Sequence, residues 1–212
     1  MKNNTDNPLC RIVSAGDFSK KAFLQRREKE PEGLLIAADA GYLHLNILGI
    51  SPDLFVGDAD SLGSAPTGVA AVSLPTEKDD TDTLAAVREG MRRGFSRFEL
   101  FGALGGKRFS HSLANLQTLL FLKENGCRGE LVDENCSVFA LKDETVTVEG
   151  KVFFSVFAVG DGCTVTETGA KYPLDRYEMK SSFPIGVSNE PDPTAKITVG
   201  GGAAFLVIEK RD

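Results

Sequence analysis

Two aspartates at alternate positions follow a short apolar run in the N-terminal half of the chain. Residues 54–56 have the composition of a buried strand, and Gly57 leads from them to Asp58 and Asp60. In extended backbone this spacing places both carboxylates on one side, where the like charges repel unless a cation lies between them. Mg²⁺ takes one or two carboxylates and completes its shell with water and substrate phosphates. The pair therefore predicts a Mg²⁺ site, and an Asx turn after a strand is the alternative.

Acidic residues recur at the ends of the neighbouring predicted elements. Asp39 follows the apolar run 34–38, and Asp80 and Asp82 flank Thr81, the predicted N-cap of a helix. Acids at a helix N-terminus also complement the helix dipole, which accounts for one or two of them. Their recurrence after successive strands favours a shared metal site.

Two glycine turns predict sites that bind anions, in contrast to the predicted metal site. Gly16 follows the first apolar run and precedes a helix. This pattern can hold phosphate, although a plain strand-to-helix turn has the same residues. The pair Gly105-Gly106 is followed by Arg108 and His111 at the start of a long predicted helix, which indicates an anion site. Carboxylates for a metal and bases for phosphate are therefore expected at one edge of the fold.

The order of the predicted elements explains why these motifs would meet. Strands alternate with helices as far as residue 132, which predicts a Rossmann-like, mostly parallel sheet with helices on both faces. Ligands of such α/β sheets bind beyond the carboxyl ends of the strands, where all of these motifs fall. From about residue 137 the runs are short, β-rich and separated by glycine turns, which predicts a small antiparallel β-sandwich. We expect an α/β plus all-β protein with domains 1–136 and 137–212.

Composition and charge exclude several classes of protein. The chain has 212 residues, of which 42% are apolar and 25% charged, as in ordinary globular proteins. Its net charge of −6 and the lack of a dense basic block argue against nucleic-acid binding. No apolar run approaches the ~20 residues of a membrane span, and the N-terminus does not resemble a signal peptide. The 4 cysteines have no metal-binding spacing. We expect a cytoplasmic protein that binds neither membrane nor nucleic acid.

Short motifs, in the same order along the chain, resemble those of the thiamine pyrophosphokinase family. The family's Asp-Gly-Gly, Gly-Asp-x-Asp-Ser and Asp-x-Thr-Asp elements are similar to residues 39–41, 57–61 and 79–82. Its Gly-Gly-Arg-x-Asp-His…Leu-Ala-Asn, Lys-Tyr-Pro-Leu and Gly-x-Ser-Asn-Glu elements are similar to residues 105–115, 171–174 and 186–190. The chain departs from this pattern at Ala40, at the additional Lys107 and at Ser110, where the family has an aspartate before the histidine.

The resemblance implies an enzyme that transfers the pyrophosphoryl group of ATP to the hydroxyl of thiamine, giving thiamine diphosphate and AMP. It also implies a homodimer in which thiamine binds where the two domain types meet across subunits. The implied Mg²⁺ ligands are Asp39, Asp58, Asp60 and Asp82, of which the last three are also the expected catalytic residues. The implied ATP-binding residues are Gly16, Asp17, Asp39, Lys78, Arg108 and His111, and the implied thiamine-binding residues are Asp82, Ser110, Ser188 and Asn189.

Two other functions stay open at this point. The acceptor could be another alcohol, such as a hydroxymethylpterin, or the chain could bind thiamine or a nucleotide without turnover, for which Ser110 is a reason. The recurring aspartates argue against the second alternative, because a binding protein has little reason to keep a costly anionic cluster. In a catalyst, Asp60 or Asp82 could accept the proton of the acceptor hydroxyl.

Overall fold

A computed structural model describes residues 8–58, 66–73 and 80–211. The chain divides into two compact units, Met1–Glu134 and Asn135–Asp212. The first unit contains β1 (Leu9–Val13), α1 (Lys20–Lys29), β2 (Leu34–Ala38), α2 (Gly41–Ile47), β3 (Leu54–Gly57), β4 (Ala70–Ser73), α3 (Asp82–Arg92), β5 (Arg97–Phe101), α4 (Phe109–Glu124) and β6 (Arg128–Val132). The second unit contains β7 (Cys136–Glu149), β8 (Val152–Val159), β9 (Thr164–Ala170), β10 (Leu174–Glu178) and β11 (Pro191–Lys210).

The strands of the first unit form a parallel sheet in the order β6-β5-β1-β2-β3-β4. The chain first builds outward from β1 through β2, β3 and β4, and then returns to the other side of β1 with β5 and β6. This reversal places a topological switch point between the carboxyl ends of β1 and β5, which is where ligands bind in doubly wound α/β sheets.

Helices cover both faces of this sheet, as the sequence predicts. On one face Phe23 of α1 and Leu45 of α2 pack against Val13 and Phe55. On the other face α3 approaches so closely that a Cβ at Gly90 would lie 2.7 Å from the Phe98 ring. Because strand side chains alternate between faces, the short apolar runs of β1, β2 and β3 are buried on both sides.

Side-chain caps hold the N-termini of two helices, one at the predicted cap Thr81 and one at Ser19. The side chain of Ser19 accepts a hydrogen bond from the Ala22 amide at 3.2 Å, and that of Thr81 accepts one from the Leu84 amide at the same distance. Each cap satisfies an amide that the helix itself leaves without a partner. The starts of α1 and α3, and with them Asp82, are thereby fixed by local sequence.

The second unit is an antiparallel β-sandwich built on two long strands. The first half of β11 pairs with β9 and with the second half of β7, whereas its second half pairs with β8 and with the first half of β7. The register changes between Val199 and Ala203. The enclosed core is apolar and includes Leu141, Phe154 and Val165.

The short β-rich runs predicted after residue 137 are joined in two places, residues 137–141 with 145–149 and residues 195–199 with 203–209. Each pair of runs is one continuous strand. Asp143, with φ of +48°, and the glycines at 200–202 have the composition of turns but form an irregularity inside the ladder. The Gly201 amide donates to Asp143 Oδ1 at 2.9 Å across it. Strand β10 was not predicted, because its mostly exposed residues lack an apolar run.

Candidate active site

The acidic ends of β2 and β3 lie side by side. The Asp39 amide donates to the Val56 carbonyl at 2.9 Å, and a Cβ at Gly57 would lie 3.3 Å from Asp39 Cα. Asp39 and Asp58 therefore occupy neighbouring strand ends. Asp39 has φ of +48°, a left-handed conformation that costs an aspartate energy and is enriched at functional sites. Asp60 lies outside the described residues.

The start of α3 is anchored to the carboxyl end of β1. The hydroxyls of Ser14 and Thr83 are 2.9 Å apart, and both residues are buried. Asp82 is the first residue of α3 and precedes Thr83 directly. This hydrogen bond thus brings Asp82 to the same edge of the sheet as Asp39 and Asp58.

The Gly16 turn is bonded to the loop that follows β5. The Gly16 amide donates to the Gly102 carbonyl at 2.7 Å, and the Asp17 amide donates to the Leu104 carbonyl at 3.0 Å. A Cβ at position 16 would lie 2.6 Å from the Gly102 oxygen, so only glycine fits there. Because these two amides donate within the protein, the turn does not direct them at a phosphate. Gly16 instead joins the two loops at the topological switch point.

His44, which the sequence analysis did not single out, also holds this turn. Its Nε2 lies 3.1 Å from the Gly16 carbonyl oxygen, and its ring stacks on Phe18 with centroids 4.9 Å apart. Helix α2 reaches this position because Gly41 lets it approach β1, where a Cβ would lie 1.9 Å from the Val13 oxygen. The feature of the sequence that could have identified His44 is its position three residues after Gly41, at a predicted helix start.

The basic segment at the start of α4 is exposed, as an anion site requires. Arg108, Ser110 and His111 are all exposed, and the residue at the N-cap, Arg108, makes no side-chain capping bond. Below them, the Asn115 amide group donates to the Ala103 carbonyl at 2.6 Å. The helix terminus is therefore fixed to the loop after β5 while its dipole and basic side chains face solvent. Lys78 lies outside the described residues.

The predicted thiamine residues of the second unit point in opposite directions. Ser188 is exposed and has φ of +56°, and its amide donates to the hydroxyl of the buried Ser155 at 2.9 Å. Asn189 is buried, and its side chain bonds to Tyr172, Glu190 and Glu167 within the sandwich. Of the two, only the Ser188 side chain is presented to solvent.

A doubly wound sheet with acidic and glycine-rich residues at its carboxyl edge is typical of a protein that binds a nucleotide there, because carboxylates suit a metal ion and a helix N-terminus suits phosphate. Residues 26–130 match the family model described as thiamin pyrophosphokinase, catalytic domain. Residues 147–203 match the model described as thiamin pyrophosphokinase, vitamin B1 binding domain. Together the matched ranges span more than half of the chain, which belongs to the thiamin pyrophosphokinase family.

Solved structures share the fold over nearly the whole chain. Thiamine pyrophosphokinase from Bacillus subtilis is 22% identical with a TM-score of 0.84, and the match covers 96% of this chain and 100% of that one. A thiamin pyrophosphokinase family protein from Enterococcus faecalis is 23% identical with a TM-score of 0.79, covering 97% and 100%. Yeast thiamin pyrophosphokinase is 14% identical with a TM-score of 0.79, covering 98% and 87%. Comparison with curated protein sequences gives no significant match.

Membership of this family defines the reaction. The enzyme is a transferase that makes thiamine diphosphate from thiamine and ATP, and it uses a divalent metal ion. A pterin alcohol as acceptor, and binding without turnover, are not favoured. No helix in the described part of the chain is long and apolar enough to cross a membrane.

Proposed function

We propose that this enzyme binds Mg²⁺ and ATP at the carboxyl edge of its parallel sheet, binds thiamine with the turn at Ser188, and works as a cytoplasmic homodimer. The observation that carries the proposal is the meeting of the carboxyl ends of β1, β2, β3 and β5 with the start of α3 at one edge. It rests on the bonds from Asp39 to Val56, from Ser14 to Thr83 and from Gly16 to Gly102.

The proposed metal ligands are Asp39, Asp58, Asp60 and Asp82. Within 8–58, 66–73 and 80–211, no three or more His, Cys, Asp or Glu side chains form a group that could hold a metal by themselves. Mg²⁺ suits this arrangement, since one or two carboxylates suffice when substrate phosphates complete its octahedron. When bound, the ion would neutralise charge on the transferred pyrophosphoryl group.

The ATP phosphates are expected at the start of α4. Arg108 and His111 would supply positive charge there, reinforced by the helix dipole, and Lys78 would add to it. Gly16 and Asp17 act on this site by fixing the loop between β5 and α4. The Asp17 amide donates to the Leu104 carbonyl at 3.0 Å, and the Asp17 side chain lies so close to Gly105 that a Cβ there would be 2.1 Å from its Oδ2.

Catalysis in this arrangement depends mainly on positioning and charge. The hydroxyl oxygen of thiamine forms a bond to the β-phosphorus of ATP while the bond from that phosphorus to the oxygen of the departing AMP breaks. Asp60 or Asp82 would accept the hydroxyl proton. Ser110 would contact the acceptor as an uncharged group, where the family has a carboxylate.

Thiamine would bind with its pyrimidine against Ser188. A second copy of the chain supplies this residue, because we propose that each site combines the α/β domain (1–136) of one subunit with the sandwich domain (137–212) of the other. Asn189 supports the site from inside the fold rather than by direct contact, since its amide oxygen and nitrogen are already bonded.

An AMP-release assay tests the proposal directly. Purified enzyme is supplied with ATP and Mg²⁺, with thiamine, with a pterin alcohol or with no acceptor, and the products are identified by mass spectrometry. Thiamine-dependent AMP and thiamine diphosphate are expected, and they should disappear when the metal is chelated. AMP formation with the pterin alcohol alone would assign another acceptor, and thiamine binding without AMP would make the protein a binder.

A further inference from the structure

Glu167 is a carboxyl group buried inside the sandwich, and no basic residue in the described part of the chain pairs with it. Its exposed fraction is 1%, and its Oε2 accepts a hydrogen bond from Asn189 Nδ2 at 2.6 Å. Its Oε1 is buried and has no hydrogen-bond partner among the residues that the structure describes. Burial raises the pKa of Glu167 above its ordinary value, and the bond from Asn189 opposes this only in part.

Through Asn189, Glu167 is connected to the turn that carries Ser188. Asn189 Oδ1 accepts from the amides of Tyr172 at 3.0 Å and Glu190 at 2.9 Å, and Nδ2 also donates to the Tyr172 carbonyl at 2.7 Å. Its backbone amide and carbonyl both bond to Phe154 at 2.8 Å. These contacts fix which end of the amide faces Glu167, so the carboxyl group completes the hydrogen bonding of Asn189.

The backbone at Ser188 needs such support. A serine with φ of +56° is in a conformation that costs about 1 kcal/mol or more and persists only when its surroundings hold it. The bond to Ser155 holds it from one side, and the fixed Asn189 holds it from the other. Loss of either support would let the exposed hydroxyl leave its position.

We propose that Glu167 is a positioning residue for thiamine binding, which accepts a hydrogen bond from Asn189 and so holds Ser188 in its left-handed conformation. The inference rests on the proposed contact between Ser188 and thiamine. Glu167 does not touch the substrate. Its contribution should therefore affect the KM for thiamine, while kcat and the KM for ATP stay unchanged.

Conservative and apolar variants separate this role from a general structural one. Glu167→Gln keeps an acceptor oxygen for Asn189, whereas Glu167→Leu removes the acceptor and leaves one N–H of the buried Asn189 amide group without a partner. We expect Glu167→Leu to raise the KM for thiamine about five- to tenfold, the effect of losing one buried hydrogen bond. Glu167→Gln should stay within about twofold of the unchanged enzyme. Glu178→Leu, at an exposed glutamate of β10, is the matched control.

Hydrogen exchange of the ligand-free protein provides a readout that does not depend on activity. In Glu167→Leu, the amides of residues 186–190 should exchange faster while those of β7 and β11 keep their protection, and Glu167→Gln should exchange like the unchanged protein. If Glu167→Leu does not fold, Glu167→Asp gives the same comparison, because its shorter side chain cannot reach Asn189.

The outcomes distinguish this inference from the proposed function. An unchanged KM for thiamine in a folded Glu167→Leu enzyme would overturn the positioning role, as would faster exchange across the whole sandwich. Equal defects in Glu167→Gln and Glu167→Leu would also overturn it, because an acceptor oxygen at this position would then not be enough to hold the turn. If the unchanged enzyme makes no thiamine-dependent AMP, the proposed function fails, and exchange at residues 186–190 still decides whether Glu167 holds the turn.

Discussion

Ala40 stands where the family pattern has a glycine, and its conformation explains why this departure is tolerated. Its φ of −60° and ψ of −8° are right-handed and accessible to any residue. The glycine required in this segment is Gly41, where a Cβ would lie 1.9 Å from the Val13 oxygen. Asp39 carries the left-handed turn itself. The departure therefore leaves both the acidic residue and the close approach of α2 in place.

The proposed metal role of Asp58 predicts a large loss of turnover when its charge is removed. Asp58→Asn keeps the size of the side chain but weakens a metal ligand, so kcat should fall by about 100-fold or more and the Mg²⁺ concentration for half-activity should rise. Asp175→Asn is the control, because its side chain is 86% exposed on β10. Near-normal turnover with an unchanged Mg²⁺ requirement would exclude Asp58 as a ligand. The same loss is expected for Asp60→Asn.

Ser188 combines two properties that different substitutions separate. Ser188→Ala and Ser188→Gly both remove the hydroxyl, so both should raise the KM for thiamine by about fivefold or more. Glycine adopts the left-handed conformation without strain. The free energy of unfolding of Ser188→Gly should therefore exceed that of Ser188→Ala by up to about 1 kcal/mol. Urea unfolding and steady-state kinetics measure the two effects. Ser182→Ala, at an exposed neighbour, should change neither.

At the scale of elements, Glu89 of α3 makes stability depend on pH. It is buried and accepts hydrogen bonds from Arg92 at 2.7 Å and from Arg93 at 2.7 Å, and these partners lower its pKa from 4.5 to about 2. Because the folded pKa is the lower one, its stabilisation is present above pH 4.5 and is lost as pH falls towards 2.

We therefore expect Glu89→Gln to reduce the free energy of unfolding by about 1–2 kcal/mol at pH 7, with partial screening because Arg92 is exposed. The deficit should shrink as pH approaches 2. Urea unfolding at a series of pH values measures it, with Glu178→Gln as the exposed control. A deficit that stays constant with pH would mean that Glu89 stabilises α3 by packing alone.

Local sequence was sufficient to predict most elements of the first unit. The N-caps Ser19 and Thr81 and the short apolar runs act on residues within one turn or one strand. The irregularity in β7 and β11 was missed because the bond from Gly201 to Asp143 joins residues far apart in sequence. Two features of the site could not be predicted for the same reason. The side chains of Ser188 and Asn189 point in opposite directions, and His44 contacts Gly16, because of tertiary packing rather than because of residues nearby in sequence.

At the scale of the whole molecule, a homodimer with shared sites predicts complementation between two inactive variants. One chain carries Asp58→Asn and the other Ser188→Trp, which blocks the proposed thiamine turn. Co-expressed, they form mixed dimers in which one site receives both unchanged residues, so about one quarter of the activity should return. Co-expression of Asp58→Asn with the double variant should restore none. Mixed dimers that purify together without activity would place each site within one subunit.

The long pairing of β7 with β11 has a consequence for biosynthesis. Its register joins Cys136 to Glu209, so the central ladder of the sandwich closes between residues at opposite ends of the second unit. Structures dominated by such distant pairs fold slowly, because the chain loses loop entropy before the contacts compensate for it. On the ribosome, the first unit can fold while the second is still being synthesised. The sandwich has no central ladder until residues 191–210 have left the exit tunnel, so β7, β8 and β9 expose unpaired edges and apolar side chains during that interval.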